Sequence, residues 1–126
     1  MVRLRGIATN ALALSALACS NASGPAAPLL SGAWSGQNQG NRITMTLVES
    51  SSNITGSGNV SDANRNVPLT VSGTHNHPGV ALTLQPEGYA PFTFDGTFIL
   101  TSRDSIGGKL NGSGFIDFAF IFVRQP

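Results

Sequence analysis

The chain has 126 residues, of which 40% are hydrophobic and 10% are Asp, Glu, Lys or Arg. This length fits a single domain, and the hydrophobic fraction excludes an intrinsically disordered chain. Two of the seven basic residues, Arg3 and Arg5, lie at the N-terminus, so the remainder has five basic and six acidic residues and a net charge of −1. This near-neutral balance argues against a nucleic-acid-binding surface and against a polybasic membrane-binding patch.

The first 18 residues are typical of a signal peptide. Arg3 and Arg5 precede an apolar stretch, Ile7 to Leu17, that is too short to span a bilayer. It ends in Ala-Leu-Ala at residues 16–18, which matches an A-x-A cleavage site. We therefore predict that residues 1–18 are removed when the protein is exported.

Cys19 follows this cleavage site directly and is the only cysteine, so it cannot form an internal disulfide. The run Ala16-Leu17-Ala18-Cys19 resembles the lipobox of bacterial lipoproteins, although Ala16 stands where that motif prefers Leu. The resemblance implies that Cys19 carries diacylglycerol and anchors the protein to a membrane, facing the periplasm or the cell exterior. Ordinary secretory cleavage beside an incidental cysteine is the alternative. Residues 19–31 contain small and polar residues and two prolines, and we expect them to form a flexible tether.

Residues 32–126 alternate between apolar and polar side chains, which is the pattern of half-buried β-strands. In the second strand, Ile43, Met45 and Leu47 share one face and Thr44 and Thr46 share the other. Clusters of Gly, Asn, Asp, Ser and Pro separate eight such segments, and no helical periodicity is present. The last segment, Phe115 to Arg124, is the most apolar.

These short connections predict an all-β domain over residues 32–126, an antiparallel eight-stranded meander that closes into an up-and-down barrel. A two-sheet β-sandwich is the alternative. Four glycines fall on the predicted inward face: Gly56, Gly58, Gly73 and Gly96. They indicate either strand bends with close backbone approach or missing side chains that leave a cavity.

The two ends of this domain resemble the calycin superfamily, which includes lipocalins and avidins. Gly32-Ala33-Trp34 opens the first strand like the G-x-W of lipocalins, and Arg124 closes the last strand, where lipocalins place an Arg or Lys over the indole. The resemblance implies an eight-stranded barrel plugged at one end by Trp34 and Arg124. The domain is shorter than a lipocalin barrel and lacks the large first loop. Because Trp34 is the only tryptophan, biotin binding of the avidin kind is disfavoured.

His75 and His77 are the only candidate metal ligands that the sequence places side by side. Two histidines two residues apart on a strand point the same way, but a protein metal site usually has three or more protein ligands. The domain has no cysteine and no third histidine, and Asn76, Pro78 and Gly79 are typical turn formers. We therefore favour a polar turn and expect no metal and no cofactor.

The residues do not indicate an enzyme, since there is no G-x-S-x-G motif and no visible carboxylate pair. No inward charge is evident besides Arg124, so we expect a non-enzymatic binding module for a small, largely apolar ligand. Its candidate lining residues are the phenylalanines of two strands: Phe92, Phe94, Phe98, Phe118, Phe120 and Phe122. The alternative is a protein-interaction module of the cell envelope, as in the small lipoprotein barrels that inhibit lysozyme.

The last strand is apolar on both faces. If Phe118, Phe120 and Phe122 point inward, then Ala119, Ile121 and Val123 point outward, which is unusual for a solvated strand. We interpret these three residues as a candidate interface for a partner or for a homodimer through the last strand. Burial by the tether, or a β-bulge that flips the pattern, is the alternative.

Overall fold

The computed structural model describes residues 27–99 and 101–126. The predicted signal peptide and Cys19 lie outside the described residues, as does most of the predicted tether. The eight strands are β1 Gly32–Asn38, β2 Asn41–Ser50, β3 Asn53–Ser61, β4 Asn66–Asn76, β5 Gly79–Pro86, β6 Phe92–Phe98, β7 Ser105–Gly112 and β8 Phe115–Arg124. Among the described residues, no helix is long and apolar enough to cross a membrane.

The strands form a closed antiparallel barrel in which each strand pairs with the next along the chain. The first and last strands close the ring, with Trp34 opposite Arg124 and Ser35 opposite Val123. The structure therefore confirms the predicted all-β class and the eight-stranded meander barrel, and it excludes the two-sheet β-sandwich. This architecture is consistent with the calycin resemblance, which rests on the two end motifs.

The period-two pattern of the sequence becomes an apolar interior and a polar exterior. On β2 the buried side chains are Ile43, Met45 and Leu47, while Thr46 points to solvent. The same alternation continues on β5, where Val80 and every second residue after it are buried. Burying this apolar surface is the main force that closes the barrel.

The inward glycines mark places where neighbouring strands cross closely. A Cβ added to Gly58 would overlap the carbonyl oxygen of Thr44, and one added to Gly73 would overlap that of Ala81. Additions at Gly56 and Gly96 would meet the partner strands in the same way. Strands that coil this tightly leave no room for a side chain. Of the two explanations above, the structure supports close backbone approach at all four glycines.

A β-bulge interrupts the pairing of β7 with β8. The register shifts between Leu110 and Gly112, and Asp117 adopts a positive φ of 43°. One extra residue changes which side chains face inward, so Phe115 and Phe118 both reach the interior although they are three residues apart. The bulge lies before Ala119 and leaves the alternation from there to Arg124 unchanged.

The connections alternate between the two ends of the barrel because every strand is antiparallel to the next. We call the closed end the one that holds Trp34 and Arg124, with the β2–β3, β4–β5 and β6–β7 connections. The open end is formed by residues 39–40, 62–65, 87–91 and 113–114.

Candidate functional site

Trp34 and Arg124 meet at the closed end. The carbon at the centre of the Arg124 guanidinium lies 4.4 Å from the centroid of the indole, and the Trp34 ring is buried. The indole and the Phe98 ring form a T-shaped contact, with ring centroids 6.3 Å apart. A guanidinium over a desolvated indole gains cation–π energy, so this pair stabilises the end of the barrel.

The segment that precedes β1 is clamped across this end. The Arg124 guanidinium donates hydrogen bonds of 2.8 Å to the carbonyl oxygens of Leu29 and Ser31 and a bond of 3.1 Å to the Asp104 carboxylate. The Trp34 indole N–H donates to the carbonyl of Leu30, whose side chain is fully buried. Residues 29–31, which we call the strap, therefore seal the closed end. The predicted flexible tether is ordered over this last part because its backbone groups find partners here.

A buried carboxylate and two histidines lie beside the strap. The Glu49 and His75 side chains are 6% and 3% exposed, and His75 Nδ1 lies 2.9 Å from Glu49 Oε1. The same carboxylate oxygen accepts the Leu30 N–H at 2.9 Å. His75 Nε2 lies 3.1 Å from Nδ1 of the exposed His77. The expectation that no inward charge is evident besides Arg124 is therefore wrong, since the Glu49 carboxylate points into the closed end.

The phenylalanines predicted to line a ligand cavity fill the barrel instead of lining an empty interior. The Phe94 and Phe122 rings meet edge to face at 5.1 Å between centroids, and Phe120 and Phe122 are 5.0 Å apart. Phe118 is half-buried and extends the column toward the open end through Phe115, at 5.1 Å. Ring contacts of this kind are characteristic of a packed core. Phe92, at the end of this packed group, also lines a cup at the open end of the barrel.

A cup of about 210 Å³ opens at the open end of the barrel. The apolar part of its lining consists of Val60, Val67, Pro86, Phe92 and Phe115. The polar part of the lining comes from Asn41, Ser61, Asp62, Arg65, Tyr89 and Ser113. The aromatic floor is formed by Phe92 and Phe115, with ring centroids 5.2 Å apart.

Charges on the cup rim are paired with each other. The Arg65 guanidinium donates a 3.1 Å hydrogen bond to the Tyr89 hydroxyl and lies 5.5 Å from the centroid of that ring. This hydrogen bond raises the pKa of Arg65, as do the charge interactions with Tyr89 and then with Asp62. The backbone N–H of Asn64 donates to the Asp62 carboxylate at 2.8 Å and lowers the pKa of that carboxyl. The rim therefore holds one positive and one negative side chain, which cancel in net charge, beside the apolar residues of the cup.

The outer face of β8 has a small apolar patch. Ile121 and Val123 are 53% and 44% exposed, Ile99 is 38% exposed, and Ala119 also faces solvent. A Cβ added to Gly107 would touch Ile121 and Ile99, so these side chains adjoin one another across the strands. The described part of the tether does not cover Ala119, Ile121 and Val123, and the bulge does not turn them inward. The interface suggested for these three residues stays a prediction.

The structure thus separates the residues that the sequence singled out. Trp34, Arg124, His75, His77 and Phe98 meet at the closed end, while Ala119, Ile121 and Val123 lie outside the barrel. Within residues 27–99 and 101–126, no three His, Cys, Asp or Glu side chains converge as a metal cluster.

Sequence reasoning missed Glu49 and the cup. Glu49 continues the inward series of Ile43, Met45 and Leu47, so the spacing alone could have revealed it. Phe115 could not be placed because the bulge reverses its face. No family model matches this chain, and no significant match to a curated protein or to a solved structure was found.

Proposed function

We propose that this protein is a non-enzymatic binding module whose open-end cup receives one apolar, ring-sized group of a largely apolar ligand. The observation behind the proposal is that the buried Phe92 and the half-buried Phe115, whose rings pack together, both line the cup at the open end. Phe94, Phe120 and Phe122 are buried against one another deeper in the barrel. Apolar surface in a concave site with a few polar rim groups is the usual form of a small-molecule site.

The size of the cup supports a single ring and argues against a ligand enclosed in the barrel. An apolar cavity of about 150 Å³ is large enough for benzene, whereas pockets for drug-sized molecules are about 300–1,000 Å³. At about 210 Å³ the cup takes one ring with small substituents. The rest of such a ligand would lie along the rim, near Arg65 and Tyr89.

A titration with p-cresol, followed by NMR of the backbone amides, tests this proposal. We expect saturable shifts confined to residues around the cup, such as Val60, Val67 and Phe115. The variant Val60→Phe fills the cup and should abolish these shifts, while Thr83→Phe, on the outer face of β5, should leave them unchanged. Shifts that are absent, or that persist in Val60→Phe, would contradict the proposal.

We further infer that the domain is an exported calycin-like barrel, anchored through a lipidated Cys19. The signal peptide, the lipobox-like run and the two end motifs support this inference. The strap joins the barrel at the closed end, so we propose that the cup at the opposite end faces away from the membrane. Cys19→Ser should move the protein from the membrane fraction to the soluble fraction of the cell, and an unchanged distribution would contradict lipid anchoring.

A protein-interaction module of the cell envelope is the second candidate. The filled interior favours it, because function then depends on the rim, and the cup is also large enough for one side chain of a partner. Native mass spectrometry of the protein, purified gently from its own envelope fraction, separates the two candidates. A small adduct that is lost on denaturation favours the small ligand, and a co-purifying polypeptide that Val60→Phe releases favours the interaction module.

A further inference from the structure

We propose that His75 and His77 form a binding site for a divalent transition-metal ion, with Glu49 as the residue that positions His75. This site lies at the closed end, at the opposite end of the barrel from the cup, and is independent of the proposed function. The sequence argued against a metal for want of a third ligand. The structure adds three observations that the sequence did not contain.

The first observation concerns the proton on His75. The Glu49 carboxylate accepts the Leu30 N–H and lies 2.9 and 3.0 Å, through its two oxygens, from His75 Nδ1. Beside an ionised carboxylate, which has only acceptor atoms, the Nδ1 N–H donates the hydrogen bond. In that tautomer of the neutral ring, Nε2 has a lone pair, and it faces Nδ1 of His77. This carboxylate–histidine arrangement is the one that orients metal-binding histidines in proteins.

The second observation is the spacing of the two nitrogens. His75 Nε2 and His77 Nδ1 are 3.1 Å apart. Two imidazole nitrogens that each bind one ion at about 2.0–2.1 Å, at an angle between about 90° and 110°, are about 2.9–3.4 Å apart. A metal ion can therefore replace the proton that the two rings share after a modest rotation of His77.

The third observation is access to the site. His77 is exposed, whereas His75 is buried, so an ion can reach the pair from solvent and meet a ligand that is already fixed. Phe98 packs on both imidazoles, with ring centroids 5.4 and 5.3 Å away. Two imidazole nitrogens with water in the remaining positions suit ions that prefer imidazole, and Cu²⁺ binds such ligands most tightly among the first-row divalent ions.

Isothermal titration of the purified protein with Cu²⁺, with glycine present to suppress weak sites, tests the proposal. We expect one ion per chain, and electron paramagnetic resonance should show coupling to two imidazole nitrogens. His77→Ala alters an exposed side chain and should fold normally, yet it should lower the affinity by about ten-fold or more and remove one nitrogen coupling. Asn76→Ala, at the exposed position between the histidines, should bind Cu²⁺ like the unaltered protein.

Glu49→Gln tests the positioning role. The amide oxygen that this substitution introduces can still accept the bonds from Leu30 and His75, because both reach the same oxygen of Glu49. Loss of the charge should lower Cu²⁺ affinity by about 10–100-fold. It should also shift the coupling of the remote ring nitrogen of His75. If Glu49 had a purely structural role, this coupling would stay unchanged. Wild-type affinity in His77→Ala, or a titration without a one-to-one site, would overturn the proposal. Wild-type affinity and coupling in Glu49→Gln would overturn the role of Glu49.

Discussion

The two ends of the barrel use similar residue types in opposite environments. At the closed end, Arg124 stacks on a buried Trp34 and donates hydrogen bonds to the strap, and the Glu49 carboxylate is buried against His75. At the open end, Arg65 stacks on the exposed Tyr89 and forms an ion pair of 3.6 Å with Asp62 in solvent. The same cation–aromatic contact therefore has different consequences. Buried, it locks the chain to the barrel, and exposed, it shapes the rim of a cup that stays accessible.

Removing the aromatic ring from each cation–aromatic pair should give the largest difference in stability between the two ends. Trp34→Ala should lower the free energy of unfolding by about 3–5 kcal/mol, because it empties a buried site that Leu30 and Phe98 cannot refill. Tyr89→Ala removes an exposed ring and should leave the unfolding midpoint close to that of the unaltered protein. Urea denaturation of both variants provides the measurement. Equal losses at the two ends would contradict the comparison.

Removing the arginine from each pair should give the next largest difference in stability between the two ends. Arg124→Met keeps an apolar stem against Trp34 but leaves the carbonyls of Leu29 and Ser31 without their donor. We expect a loss of about 2 kcal/mol, since hydrogen bonds from charged donors exceed the average. The strap should also become more accessible to protease than in the matched control Arg65→Met, which alters only exposed contacts. If the strap in Arg124→Met stays as resistant to protease as in the control, then the buried Leu30 side chain holds it in place without the hydrogen bonds from Arg124.

The patch outside the barrel, away from both ends, tests whether β8 associates with a second copy. Ile121→Lys places a charge in the patch and should change the stability of the monomer by no more than about 0.5 kcal/mol. If the last strand forms a homodimer, sedimentation velocity should show dimer for the unaltered protein and monomer for Ile121→Lys. Thr83→Lys, on the outer face of β5, is the control. The same oligomeric state in all three proteins would eliminate the interface.

The smallest effect concerns the rim at low pH. The N–H of Asn64 lowers the pKa of Asp62 below its ordinary value of 3.8. A carboxyl with a lowered folded pKa contributes stability above its unfolded pKa, and this contribution is lost as the pH falls through the lower folded value. The Asn64 amide resonance should therefore shift only under clearly acidic conditions. Asp62→Asn should abolish that shift, and a transition above the ordinary carboxyl range would contradict the assignment.

The sequence predicts most of the fold because each strand indicates its own buried face. Ile43, Met45 and Leu47 on β2 indicate an inward face without reference to any other strand, and short turns require that neighbours in sequence pair. The resemblance to calycins, carried by Trp34 and Arg124, adds that the first and last strands meet. The strand faces and the turns are local signals, and burial of apolar surface is enough to enforce the faces.

The site was harder to predict because it depends on contacts between strands that are not neighbours. Glu49 on β2 and His75 on β4 are separated by β3, and they meet only because the barrel is narrow and coiled. The cup depends on the bulge at Leu110–Gly112, which turns Phe115 inward against the period of its strand. A one-residue shift in register reverses the face of every side chain between the shift and the start of the strand. The amino-acid composition of the strand does not show where that shift lies.

Periodicity and turn chemistry along the chain are thus sufficient for the class of fold, the number and order of the strands and their apolar faces. They do not reveal that the interior is filled, that the strap seals one end or that a carboxylate and two histidines meet beneath it. These features depend on the distances across a closed ring. Such distances are set by how tightly the strands coil and pack together, and not by the order of residues within any one strand.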